Sequence, residues 1–260
     1  MRYLYFTFLA ALWAFNPSRV TAQCTFTSTL AGGDWSSPTT WIRTGTGCGT
    51  SLIPTPTSAV VINGPVTLDQ NVTLNGSTGS LTINSTGSLV EDDSPRTLIL
   101  GQTTGGNVAN RFVLSNGGTF NVSTFEITKS TGTLNGRGTI KCNLYLGNQS
   151  SLTINNELVI LGNLQLDPGN PALAGTGSVR VVGCVVGSNG ALNGVVIAPL
   201  RVCVQNLPTS CGTGACNGDV PINNDANCTF LLPVELSAFS AAYEAARRSV
   251  QLRWQTASEK

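Results

Sequence analysis

From about residue 58 to residue 200 the apolar residues come in short alternating runs. Val66-Thr67-Leu68, Val72-Thr73-Leu74, Leu81-Thr82-Ile83, Phe120-Asn121-Val122, Leu152-Thr153-Ile154 and Val179-Arg180-Val181 are typical. A period of two marks a strand with one face buried. No stretch here carries the roughly 3.6-residue period of a helix. Runs this short do not suit a meander of hairpins. They suit the sides of a prism, with one run per side. Asn75-Gly76, Asn116-Gly117-Gly118 and Asn135-Gly136 fall between runs, where a sharp corner needs positive φ.

The pattern also repeats. Ser80-Leu81-Thr82-Ile83-Asn84 returns as Ser151-Leu152-Thr153-Ile154-Asn155, and Thr131–Gly136 has a softer echo in Asn189–Gly194. Coils of about 20 residues would give about seven coils and a stack about 34 Å tall. These observations predict an all-β chain: a right-handed parallel β-helix, a solenoid, spanning 58–200. Leu81, Ile83, Phe120, Val122, Leu152 and Ile154 point inward, and Asn side chains bond from coil to coil. A β-sandwich is the alternative, because short strands at even spacing also describe that fold.

The flanking segments differ in character. Arg2, the apolar run Tyr3–Phe15 and the small residues Val20-Thr21-Ala22 predict a signal peptide over 1–22, cleaved before Gln23. After its removal no apolar run is long enough for a transmembrane helix. Residues 23–57 read as an N-terminal cap, with Trp35 and Trp41 covering the open end of the stack. Residues 201–230 hold four cysteines and read as a Cys-rich cap or linker.

Composition narrows the partners. Only 10% of residues are charged and the net charge is +1, so no basic or acidic field draws nucleic acid or a charged membrane. The eight cysteines, Cys24, Cys48, Cys142, Cys184, Cys203, Cys211, Cys216 and Cys228, all follow the cleavage site and predict disulfides. Proximity suggests Cys24 with Cys48, Cys142 with Cys184, and two bridges among the last four. A zinc site lacks both histidine and a paired Cys-x-x-Cys spacing.

Candidate chemistry is sparse. Without histidine, neither a Ser-His-Asp nor a Cys-His arrangement can form. Glu91-Asp92-Asp93 with Arg96 is the acidic cluster to which a polysaccharide-cleaving or polysaccharide-binding face, or a calcium ion, would be assigned. A solvated turn between coils is the plainer reading. Trp35 and Trp41 could stack on sugar rings or bury their area in the cap. Lys129, Arg137 and Lys141 read as solvated turn residues.

Two segments carry family resemblances. Gly33-Asp34-Trp35-Ser36-Ser37-Pro38-Thr39-Thr40-Trp41, then Pro54, Ser58–Ile62, Val66–Leu68 and Ser80–Ile83, resembles the opening of β-helical surface proteins of the Bacteroidetes group and, more loosely, the eight-glycine domain. That resemblance implies a β-helix outside the cell, with adhesion or glycan contact and no catalytic motif. Leu232–Ala241 followed by Val250–Glu259 is similar to the fibronectin-like module that precedes a type IX secretion sorting signal. Only about two of its strands fit before Lys260, so 231–260 reads as the truncated start of that module. The expectation is a secreted or cell-surface structural or adhesion protein without catalytic activity or cofactor. Its partners would be extracellular glycans or other surface proteins. A polysaccharide-binding or polysaccharide-cleaving β-helix is the alternative.

Overall fold

A computed structural model describes residues 23–45, 47–101, 107–167, 169–187, 195–204, 236–244 and 249–256. The signal segment 1–22, the echo at 189–194, Cys211, Cys216 and Cys228 lie outside the described residues.

Strands follow one another coil by coil. β1 (Thr25–Ser28), β2 (Gly33–Asp34) and β3 (Trp41–Thr44) open the chain, with a 3-10 turn at Pro38–Thr40. Six three-sided coils follow. They are β4 (Ala59–Ile62), β5 (Pro65–Leu68) and β6 (Val72–Leu74); β7 (Ser80–Ile83), β8 (Ser88–Glu91) and β9 (Thr97–Gly101); β10 (Val108–Leu114) and β11 (Thr119–Thr128); β12 (Ser130–Leu134) and β13 (Arg137–Leu146); β14 (Ser151–Ile154), β15 (Glu157–Ile160) and β16 (Asn163–Leu166); β17 (Ala172–Ala174), β18 (Ser178–Val181) and β19 (Val185–Gly187). β20 (Arg201–Val204) adds a last rung.

Each side of the prism is a parallel ladder. Face one stacks β1, β4, β7, β10, β12, β14 and β17; face two stacks β2, β5, β8, β11, β13, β15, β18 and β20. Face three stacks β6 and β9 on the second half of β11, then the second half of β13, β16 and β19. The ten-residue strands β11 and β13 therefore serve two faces and bend between them at a bulge. The protein is a parallel β-solenoid, and the sandwich alternative falls.

Register explains the repeat. Gly132 pairs with Leu152 and Leu152 with Leu173, steps of 20 and 21 residues. Leu81 pairs with Phe112, a step of 31, because that coil carries longer connections. This longer step is one reason the described stack has six full coils rather than seven.

Alternate residues point inward as the pattern predicts. Leu81, Ile83, Val122, Leu152 and Ile154 are fully buried and Phe120 nearly so. Each such side chain stabilises the fold by roughly 1.5–3 kcal/mol. One coil is filled differently. Phe112, Phe120 and Phe125, from its three sides, meet with ring centroids 5.0–5.2 Å apart. The next coil stacks Gly132 on Phe112 and Gly138 on Phe120. A Cβ on Gly132 would lie 2.9 Å from the Leu152 Cδ1 and 3.0 Å from the Phe112 Cβ. Glycine thus yields volume to the rings below.

Polar groups reinforce the stack. Asn84 Nδ2 donates to Asn63 Oδ1 at 2.6 Å, and Asn155 Nδ2 to Asn135 Oδ1 at 2.8 Å. Asn143 and Asn163 each accept a backbone N–H from the following coil. Gly76 and Gly117 have the expected positive φ, 68° and 91°. Gly136 does not. It is required for close approach, since a Cβ there would meet the Gly118 and Ser115 carbonyl oxygens at 2.5 Å.

The corner from face three to face one uses left-handed residues without glycine: Lys129 (φ 44°), Gln149 (φ 53°) and Asn170 (φ 58°), one coil apart. That conformation costs an L-residue roughly 1–2 kcal/mol, partly offset by glycine's greater freedom when unfolded. Gln149 is exposed. Gln149→Gly is expected to raise stability by about 0.5 kcal/mol, read as a higher urea midpoint with an unchanged slope. A lower midpoint would refute the strain at this corner.

The N-terminal end is closed differently from the body. β1 is already a rung of face one, so the solenoid begins inside the predicted 23–57 cap. β3 lies on its other side and runs antiparallel. The predicted Cys24–Cys48 disulfide is present and closes a separation of 24 residues. The chain-entropy model gives about 3 kcal/mol for a loop of that size. Cys24→Ser/Cys48→Ser should lose about that much, measured by chemical denaturation. A loss under about 1 kcal/mol would show that the bridge adds little constraint.

The predicted Cys142–Cys184 bridge is absent. Cys142 is an exposed free thiol, whereas Cys184 and Cys203 are each disulfide-bonded. Pairing of Asn143 with Asn163, and of Leu164 with Val185, sets Cys142 under Gly162 and Gly162 under Gly183. Cys142 and Cys184 are thus two rungs apart, roughly 9–10 Å, beyond the roughly 7 Å a disulfide spans between Cα atoms.

At the other end of the chain, β21 (Leu236–Glu244) and β22 (Ser249–Thr256) pair with each other as an antiparallel hairpin.

Candidate functional site

The acidic cluster lies at a corner between faces two and three. In most coils that corner is a bulge or a short turn, but after β8 the chain loops out through residues 92–96. Alternation along β8 places Leu89 inward, and Glu91, two residues on, follows it. Glu91 sits in register with the buried Leu68 of the coil below. A carboxylate thus occupies an aliphatic rung, and its burial demands donors.

Donors come from three coils. Oε2 accepts the backbone N–H of Ser123 at 2.6 Å and of Arg96 at 3.0 Å. Oε1 accepts the Ser123 hydroxyl at 2.8 Å and pairs with the Lys141 Nζ at 2.7 Å. Burial alone would raise the Glu91 pKa. The Lys141 ammonium, the Arg96 amide and both Ser123 donors outweigh it and hold the carboxyl below its usual value. Ser123 stands at the bend of β11, and Lys141 at the matching bulge of β13. Glu91 therefore ties the bend of one coil to the bulge of the next. Lys141 is not the solvated turn residue its surroundings suggested.

The other two acids are separated in role. Asp92 takes a bidentate contact from Arg96, with Nε to Oδ1 at 2.7 Å and the second nitrogen on Oδ2, and accepts the Ser94 N–H at 3.1 Å. Arg96 holds the Asp92 carboxyl below its ordinary pKa, and Asp92 in turn raises that of Arg96. Asp93 is exposed. Acid–base work on one glycosidic bond needs two carboxyls facing a shared substrate. Here one faces the core, one faces its arginine and one faces solvent. Among the described residues no group of three or more His, Cys, Asp or Glu side chains is placed to hold a metal ion.

Trp35 and Trp41 belong to the cap. They are 1% and 7% exposed, with ring centroids 5.1 Å apart in an edge-on contact. The Trp41 Nε1 donates to the Trp35 carbonyl oxygen at 2.8 Å, and Phe26 packs on Trp41 from the first rung. Ser36 anchors the loop to Asp69. Rings buried in this way offer no open face to a sugar.

One charged residue escaped the sequence reading altogether. Arg111 has no exposed surface. Its Nε donates to the Ser130 hydroxyl at 2.7 Å, and its terminal nitrogens donate to the Gly76 and Gly79 carbonyl oxygens of the β6–β7 turn. Desolvation lowers its pKa. Glu91 had a detectable signal, its phase with Leu89. Arg111 had none, since no acidic residue stands beside it in the chain. Further out, Arg180 pairs with Glu157 at 2.7 Å and Tyr145 donates to Asp167 at 3.1 Å, links between adjacent coils.

No family profile, curated protein or solved structure matches this chain. The class is thus defined by fold alone, a three-sided parallel β-solenoid with a disulfide-pinned N-terminal cap.

Proposed function

We propose that this chain is an exported structural or adhesive protein of the cell surface, and that it catalyses no reaction. The observation that carries this reading is the use made of the acidic corner. Glu91 is saturated by donors that hold coils together, and Asp92 is neutralised by Arg96. Groups that an enzyme would aim at substrate are consumed in the scaffold. The Cys24–Cys48 bridge suits an oxidising compartment outside the cytoplasm. No helix of the described residues is long and apolar enough to cross a membrane. Extracellular glycans or other surface proteins are the partners proposed for an adhesive role.

A glycan array and a panel of soluble polysaccharides test the reading on the purified full chain and on Asp92→Ala/Asp93→Ala. The expected result is no cleavage by either protein, with any glycan retention equal in both. Cleavage, or retention lost in the double variant, would overturn it and make the acidic corner a carbohydrate site.

A further inference from the structure

The three faces of the prism are chemically unequal. Faces two and three display charge, including Glu126, Arg137, Glu157, Arg180 and Arg201. Face one, among its described rungs, displays none. Its outward positions pair a Ser or Thr with a Thr on three rungs: Ser80 with Thr82, Thr131 with Thr133, and Ser151 with Thr153. β1 adds two more threonines, and β4 and β17 carry only alanine and valine. All these side chains are half-buried by their ladder neighbours, so these rungs are level; β10 departs from them at a register break that leaves Ala109 and Asn110 exposed, and rejoins the face at Val113.

Arg111 is the single charged residue of the seven parallel strands of this face; Arg43 lies on β3, the antiparallel strand at the end of the same sheet, and is exposed. Arg111 is folded beneath the β6–β7 turn and shows nothing to solvent. The Thr131 hydroxyl accepts the Asn110 N–H at 2.8 Å. The Thr82, Thr133 and Thr153 hydroxyls take no partner among the described residues.

We propose that face one is an ice-binding surface, a level and neutral lattice of hydroxyls and methyls that adsorbs to crystalline water. The backbone fixes both repeats of the lattice, about 4.8 Å from rung to rung and about 6.7 Å between alternate residues along a strand. Thr82 pairs with Val113, Val113 with Thr133, and Thr133 with Thr153, so one column runs in register up the face. Threonine offers a methyl to a hollow of a water lattice and a hydroxyl to one of its oxygen positions. Ice has no counter-charge for an ion, which accounts for the exclusion of charge and for the burial of Arg111. A hydrogen-bonded solenoid holds the array before contact, so little ordering entropy opposes adsorption.

Two other occupants fit less well. The outward positions include no aromatic ring, the usual platform for a flat sugar chain. A second copy would bury too little: seven rungs by about four residues is roughly 450 Å² per partner, below the roughly 600–1,000 Å² of a stable interface. The inference goes beyond the structural or adhesive reading and is tested separately from it.

The test uses the purified full chain. Nanolitre osmometry and ice-recrystallisation assays are run on the wild type, Thr133→Lys, Thr153→Lys and Thr139→Lys. Thr139 faces outward on face two beside the same coils and is the control. Circular dichroism confirms that each variant keeps its strands. Wild type and Thr139→Lys are expected to shape ice crystals and slow their growth, and the two face-one variants to lose the effect. Folded wild type without effect on ice would overturn the proposal, as would equal loss in Thr139→Lys. Sedimentation showing a dimer that Thr133→Lys abolishes would overturn it in favour of self-pairing. Retention on microcrystalline cellulose, lost in the same variants, would overturn it in favour of carbohydrate.

Discussion

Phe125→Ala is expected to cost about 3–5 kcal/mol of unfolding free energy, the range for deleting a buried aromatic ring. The magnitude follows from where the ring sits. Phe125 touches Phe112 and Phe120 across the axis of one coil, so its loss leaves a void shared by all three faces. The coil above refills it poorly: Leu144 lies directly over Phe125, but the positions over the other two rings are Gly132 and Gly138, which have no side chain to move in. Each coil contacts only its neighbours, so a weakened central coil should also uncouple the two ends of the stack. Urea unfolding followed by circular dichroism should show a lower midpoint and a broader or biphasic transition. A loss below about 1 kcal/mol with a single sharp transition would show that the coil collapses around the gap.

Glu91→Gln is expected to cost about 2–4 kcal/mol. The amide keeps the shape but turns one acceptor into a donor. That donor then faces the Ser123 and Arg96 groups, which are donors themselves. Lys141 also loses its counter-charge, a smaller effect because its side chain is 40% exposed. The pH dependence has a definite sign. The folded Glu91 carboxyl titrates below its unfolded value of 4.5. Its contribution is therefore fully present above that pH and is lost as the pH falls through the folded value. Wild type and variant should differ most near neutrality and converge in acid. A constant gap from neutral pH to pH 3 would sink the assignment of Glu91 as an ionised link.

Much of the fold was legible because solenoid cores obey a local rule. Leu81, Ile83, Leu152 and Ile154 are placed by alternation alone, and coil stacking repeats the rule at each rung. The Asn ladders were legible for the same reason, since like residues recur near one coil apart. What escaped depends on register between coils. The Cys142–Cys184 expectation failed because sequence distance does not say how many rungs intervene. Lys141 was misread because its partner is fifty residues earlier (141 minus 91). Glu91 was masked by Asp92 and Asp93, which made three acids with different environments look like one solvated run. Arg111 escaped because its partners are backbone carbonyls and a serine, which leave no mark in composition.

The antiparallel β3 gives the molecule a direction. A β-solenoid is a template, and its uppermost or lowermost coil can recruit another chain in the same orientation. At the N-terminal end an arriving coil would meet a strand pointing the wrong way to propagate face one. End-on addition in the orientation of the stack is therefore disfavoured along face one, while faces two and three end there on β2 and β6. For face one, the antiparallel strand acts as a stop codon written in backbone geometry.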